Sequence, residues 1–505
     1  MSTLWDAVCH YAMTKPKDIA LVGNDEIVTW HDLMARVNAL TAELNGFSKQ
    51  VIALYADNSP DWIAIDLACH INGITLLPLP SFFSEQQLSH ALQQSGARAI
   101  IHAGHDDAYI TQLAALATHP KIKSTTLSSL SLPLILSKIG CLENIKLPNN
   151  TCKITFTSGS TGAPKGVCLS HESQIKTAKA LISATDLGEI RHLAILPFST
   201  LLENIAGIYA PLLSGGQIVA LPQNLLGFNG SQGFDIKTLL GTITSHQPSS
   251  IILLPELLTA ILAAVDQGWS APNSIKFIAV GGSKVSTSLL QKAENSGLPV
   301  YQGYGLSECA SVISLNTPKH VNSKSTGQVL NHLEVHIEHG EIVVSGNTFL
   351  GYIDQKDSWY QDKVYTGDLG FYDSQGYLHI TGRKKNVLVS SFGRNISPEW
   401  VESELLSNGL LAQCVVFGDA APFCVALLFP RNNDTSEQHI NQWVAKVNQG
   451  LPDYAQIKSW HNLASPLTAK AGLVTTNGRP VRHAIADHYQ NIIQQFYQGE
   501  HHAVL

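Results

Sequence analysis

At 505 residues the chain exceeds what one hydrophobic core normally serves, so two or more domains are expected. Charged residues make up 14% and apolar residues 44%, which excludes a disordered chain, and a formal net charge of −7 argues against a nonspecific nucleic-acid binder. The eight cysteines are scattered without a C-x-x-C pair, so reduced thiols are expected rather than a zinc knuckle or a disulfide framework.

The opening Met-Ser-Thr-Leu-Trp-Asp-Ala lacks the basic start and apolar core of a signal peptide. The most apolar run, 251–265, is broken by Pro255 and Glu256 and is too short to span a bilayer. A cytoplasmic location with at most peripheral membrane contact is expected. In chain order, Ala20-Leu21-Val22 and Glu26 to Trp30 predict a hairpin, followed by a helix through Ala35, Leu40 and Leu44. Val51 to Tyr55 reads as a strand, and Trp62 to Ile71 as a helix behind the capping candidate Ser59-Pro60. Further strands are expected at Thr75–Pro78, Ala99–His102, Leu193–Leu196, Gln217–Leu221 and Phe277–Gly281, with 122–150 as an irregular connection. This alternation predicts α/β layers with mainly parallel strands.

The loop at 154–166 is the most informative stretch. Thr157, Ser158, Gly159, Ser160, Thr161 and Gly162 follow a β-branched run and precede Lys165. Glycines let backbone N–H groups approach an anion, hydroxyls add uncharged donors, and the lysine supplies positive charge, so the loop reads as a phosphate holder. The spacing is not the P-loop G-x-x-x-x-G-K-[ST], because Gly166 and Val167 follow Lys165. Later come Leu196 to Asn204, then Gly303-Tyr304-Gly305-Leu306-Ser307-Glu308, Tyr365-Thr366-Gly367-Asp368 and Gly382-Arg383-Lys384-Lys385. After Arg383 the texture changes to a compact α+β unit: a strand at 386–389, a helix opened by Ser397-Pro398-Glu399, and strands at 414–417 and 424–429. Taken singly, Glu308 reads as a solvated carboxylate, Asp368 as a turn residue and Lys385 as a surface lysine.

Taken together, the ordered segments resemble the adenylate-forming enzymes, most closely the long-chain fatty acyl-CoA synthetases. The resemblance implies a large α/β N-terminal domain, 1–383, and a small mobile α+β lid, 384–505. It implies a reaction in which a carboxylic acid attacks ATP to give an acyl adenylate and is then passed to coenzyme A. Lys165 and the 157–162 loop would hold the phosphates, Ser307 the α-phosphate and Glu308 a Mg²⁺ ion. Tyr304 would stack on adenine, flanked by Gly303 and Gly305, while Asp368 and Arg383 would meet the ribose. Lys385 would be the hinge and Arg394 would approach phosphate from the lid. Thr200, Asn204, Gly281 and Gly282 would border the acyl pocket.

The chain departs from the family pattern at two positions. Arg479 falls where the lid lysine of the family belongs, and arginine replaces a compact ammonium by a wide planar fork. Thr200 stands where a histidine or aromatic residue is usual. Segments 391–399 and 467–482 resemble the long-chain synthetases, favouring a medium- or long-chain fatty acid. A carrier-protein thiol or an amine as acceptor, and a nucleotide- and acyl-binding homologue with weakened turnover, remain the alternatives.

Overall fold

The computed structural model describes residues 3–103, 124–139, 145–157, 165–228, 234–391, 394–432, 434–475 and 478–497. Among them, a nine-stranded sheet takes the spatial order Gln328–Val329, Ser311–Leu315, Val300–Leu306, Phe277–Val280, Ser250–Leu253, Arg191–Leu193, Gln217–Val219, Ile19–Val22, Ile27–Thr29. Its six middle strands, Val300–Leu306 through Ile19–Val22, are mutually parallel, as the strand–helix alternation predicts. A second sheet of eight strands carries Lys153–Thr157 and Lys165–Leu169 beside the parallel strands Thr75–Pro78, Val51–Tyr55 and Ala99–Ala103. The third, Glu334–Glu338, Glu341–Ser345, Lys363–Tyr372 and Leu378–Arg383, is fully antiparallel.

Local chemistry explains the element ends. Ser59 accepts from the Trp62 N–H at 3.2 Å with Pro60 in the first turn, so the helix Pro60–Ile71 starts where the capping pair predicts. The hairpin Ile19–Val22/Ile27–Thr29 also forms, and Thr29 with Asp32 closes a capping box on the helix Trp30–Glu43. The stretch expected to be irregular is not wholly so: Ser124–Thr126 and Leu134–Lys138 form strands at the edge of the second sheet. The strand expected to reach Leu196 ends at Leu193.

Where the two larger sheets meet, Trp62 and Phe198 are both buried with ring centroids 5.3 Å apart. A polar cluster is sealed in with them. Lys153 Nζ donates to Asp66 at 2.8 Å and to Tyr209 at 2.7 Å, and also to Asn204, while Tyr209 donates to Asp66 at 2.9 Å. A buried lysine persists only when paired and fully bonded in this way.

The small C-terminal domain contains the three-stranded sheet Leu411–Phe417, Cys424–Pro430, Ile457–Asn462. The helix Pro398–Leu406 packs on it, burying Val401 and Leu405. No helix among the described residues is long and apolar enough to cross a membrane.

Candidate active site

Strand pairing assembles the site from distant segments. Thr157 ends one strand and Lys165 opens the next, and the two are register partners, so the phosphate-loop ends are held side by side. Ser158, Gly159, Ser160, Thr161 and Gly162 lie outside the described residues. The Lys165 ammonium lies 5.2 Å from the centroid of the Tyr352 ring, and the Tyr352 hydroxyl donates to Glu308 Oε1 at 2.8 Å. One aromatic residue thus stands between the candidate phosphate cation and the candidate metal carboxylate. Burial pushes the Tyr352 hydroxyl pKa up, with the Glu308 charge adding to it, so the hydroxyl stays a donor.

Gly303, Tyr304 and Gly305 lie on Val300–Leu306, and Ser307 opens the 3₁₀ turn that carries Glu308. Gly305 is required by close approach: a Cβ there would sit 1.8 Å from the Ser311 carbonyl oxygen. Tyr304 donates to Asp368 Oδ2 at 2.6 Å, and Asp368 Oδ1 faces Arg383 Nε at 2.6 Å. Burial pushes the Asp368 carboxyl up, while Arg383, Tyr304 and Arg479 pull it down, leaving a net rise. A carboxylate held this way keeps acceptor capacity for a diol, because it has about four lone-pair sites.

Arg479 reaches this cluster from the other domain. Its tail closes a tight turn in which the Thr475 N–H donates to the Arg479 carbonyl at 2.8 Å and the Arg479 N–H to Thr475 Oγ1 at 3.1 Å. The guanidinium then donates to the Gly282 carbonyl at 2.7 Å. Gly282 has φ +85°, the left-handed conformation that glycine accepts without strain. Burial and the neighbouring Arg383 pull the Arg479 pKa down, opposed by Asp368 and Glu256.

Gly281 packs against the nucleotide segment, since a Cβ would lie 3.1 Å from the Gly303 carbonyl. Thr200 is half-buried, with its N–H bonded to the Pro197 carbonyl. Asn204 lines a small internal pocket together with Lys153, Thr155, Phe198 and Ser199. It is 1% exposed, its amide nitrogen donates to Asp66 at 3.1 Å and its oxygen accepts from Lys153, so the buried cation sets its direction. Lys385 is exposed just beyond Arg383, its ammonium pulled down by partial burial and by Arg383. Arg394 is exposed on the small domain, its N–H bonded to Ser390 Oγ at 3.2 Å.

Glu308 suits a hard divalent cation, and among the described residues no three His, Cys, Asp or Glu side chains converge. Mg²⁺ bound here would be held through one carboxylate, phosphate oxygens and water, as is usual for it. Tyr352 and Glu256 had no local sequence signal.

A family model described as AMP-binding enzyme matches residues 9–353, and one described as AMP-binding enzyme C-terminal domain matches residues 385–501. A 2-succinylbenzoate–CoA ligase of Bacillus pumilus is 26% identical, covering 81% of this chain and 84% of the relative. The long-chain-fatty-acid–CoA ligase FadD15 of Mycobacterium bovis is 22% identical over 89% of this chain and 88% of its own length. Among solved structures, the anthranilate CoA ligase AuaEII with anthranoyl-AMP superposes with a TM-score of 0.81 at 16% identity, covering 97% of this chain and 98% of that one.

Proposed function

The chain belongs to the AMP-binding enzyme family, and we propose that it is an acid–thiol ligase that activates a carboxylic acid with ATP and passes the acyl group to coenzyme A. The observation that carries this reading is the meeting of Tyr304, Asp368 and Arg383 on the large domain with Arg479 from the small one, across the Gly282 carbonyl. We place the division between the domains at residues 383 and 384.

In the first step a carboxylate oxygen bonds to the α-phosphorus while the bond to pyrophosphate breaks. In the second, the coenzyme A sulfur bonds to the acyl carbon, AMP leaves and the thiol proton passes to solvent. Both steps bring anions together, so the protein's contribution is positioning and fixed positive charge. Asp368 takes the ribose hydroxyls, with Arg383 orienting its carboxylate. Lys165 and the loop before it hold the phosphate tail, and Ser307 donates to the α-phosphate. Arg479 offers guanidinium N–H groups to the carboxylate and the α-phosphate from above. Mg²⁺ on Glu308 offsets phosphate charge when bound.

For the acid, a medium- or long-chain fatty acid is the reading supported by segments 391–399 and 467–482. An aryl acid is the second reading, favoured by the 2-succinylbenzoate ligase relative. Carboxylate-dependent ATP–pyrophosphate exchange across acids from acetate to palmitate, with aryl acids and 2-succinylbenzoate included, separates the two. Product analysis with and without coenzyme A then identifies the acceptor, a carrier-protein thiol being the alternative. Exchange with no acid in a protein that still binds ATP overturns the ligase reading in favour of a binder with weakened turnover.

A further inference from the structure

The loop 281–288 of the large domain receives two separate contacts from the small domain. At one end the Gly282 carbonyl takes the Arg479 guanidinium. At the other end begins the helix Thr287–Asn295, whose own cap, Ser286 Oγ, accepts the Leu289 N–H at 3.0 Å and shares a 3.1 Å hydrogen bond with Ser288 Oγ. The Thr287 N–H donates instead to Glu404 Oε1 at 3.2 Å, and Ser288 Oγ donates to Glu404 Oε2 at 2.8 Å. Glu404 belongs to the helix Pro398–Leu406 of the small domain, so a carboxylate from one domain completes the positive end of a helix in the other.

The two contacts are mechanically joined. Arg482, three residues after Arg479, donates to Glu402 Oε2 at 2.6 Å and to the Val416 carbonyl at 3.0 Å. Glu402 lies two residues before Glu404 on the same helix. The Arg479 turn and the Glu404 helix are therefore one body, and fixing the helix fixes the arginine. Between the two contacts, Lys284 donates to the Ile380 carbonyl at 2.9 Å and feels the charges of Glu399 and Glu404, which ties the receiving loop to the strand leading to Arg383. These contacts are polar, and domains joined by such an interface move relative to one another by default.

We propose that Glu404 is a positioning residue that, by closing the N-terminus of the helix Thr287–Asn295, holds the small domain where Arg479 faces Asp368. The inference rests on the proposed ligase reading for its rate readout alone, since its geometric readout needs no acid. Spin labels on a ketone-bearing unnatural residue introduced at exposed Asn295 and Gln449, which leaves the native thiols unlabelled, should give a narrow interdomain distance distribution in the otherwise wild-type protein with ATP bound. Glu404→Ala should broaden it, and Glu404→Gln, which keeps both acceptor geometries in part, should lie between. Single-turnover acyl-adenylate formation should fall in Glu404→Ala by roughly two- to thirtyfold, the range of a carboxylate at a helix N-terminus, with the KM for ATP unchanged. In an Arg479→Ala background the same substitution should cost nothing further, whereas a merely structural defect would add its loss and lower the Tm. An unchanged distance distribution, or an additive loss, overturns the proposal. A wild-type protein that adenylates no acid removes the ligase reading and leaves the distance measurement to decide the role of Glu404.

Discussion

Asp368 and Arg383 face each other as register partners across two antiparallel strands, so the sheet itself sets their 2.6 Å contact. Burial raises the Asp368 pKa above its unfolded value despite that contact. The folded state therefore binds this proton more tightly. Its contribution to stability is present below the ordinary carboxylate pKa and is lost as pH rises through the raised value. Keeping Asp368 ionised at neutral pH costs stability, which fits a residue retained for a ligand.

Asp368→Asn removes that cost while keeping an acceptor for Tyr304. We expect a Tm equal to or above wild type, with the KM for ATP raised at least about tenfold, or about 1.4 kcal/mol. Thermal denaturation and initial rates check the two halves. An unchanged KM would take Asp368 out of the ribose site.

Glu308→Gln is expected to reduce Mg²⁺-dependent adenylation at least about tenfold with the fold intact, because the amide still accepts from Tyr352 but loses the charge a hard cation needs. Tyr352→Phe keeps that charge and removes only its orientation, so its loss should be smaller. Titrating activity against Mg²⁺ separates them. A weaker effect from Glu308→Gln than from Tyr352→Phe would mean that the tyrosine, not the carboxylate, matters.

Arg479→Lys should lower acyl-adenylate formation by about threefold or more, and Arg479→Ala by more than about tenfold. The 2.7 Å bond to the Gly282 carbonyl leaves the other guanidinium N–H groups available for substrate, whereas a lysine brings three donors on a single point charge. Rapid-quench measurement of acyl-AMP decides it. A faster Arg479→Lys variant would mean that arginine tunes the step down.

Tyr304, Asp368 and Arg383 were legible because each sits in a contiguous, glycine-punctuated segment whose strand also positions it. Tyr352 and Glu404 were not, and for Gly282, expected at the acyl pocket, the contact with Arg479 was not. Their contacts bridge 44 positions to Glu308, 197 to Arg479 and 117 to Thr287, and such contacts depend on strand order and domain docking. The bond of Asn204 to Lys153 was hidden for a related reason: the two lie 51 positions apart and meet only when the strand carrying Lys153 packs against the Asn204 segment. The parallel core was readable from strand–helix alternation, while Ser124–Thr126, exposed throughout, has no hydrophobic pattern to reveal it.

His171 and His332 add to the acid sensitivity of the fold. His171 Nε2 and His332 Nδ1 are buried without a hydrogen-bond partner among the described residues, and the His171 ring stacks on His70 with centroids 3.3 Å apart. Burial, with His70 adding to it, pulls the His171 pKa down to about 3, and burial with Lys176 pulls His332 down to about 4, both from 6.5. With folded values below unfolded ones, the unfolded chain binds more protons in the window between them. Stability is fully present above pH 6.5 and falls as pH drops from there toward 4 and 3. His171→Phe keeps a ring against His70 and removes the titrating nitrogen. Its Tm should change less between pH 7 and pH 5 than that of the wild type, and should exceed the wild-type Tm at the lower pH. Differential scanning calorimetry across that range checks this, and parallel profiles for the two proteins would show that His171 does not set the acid limb.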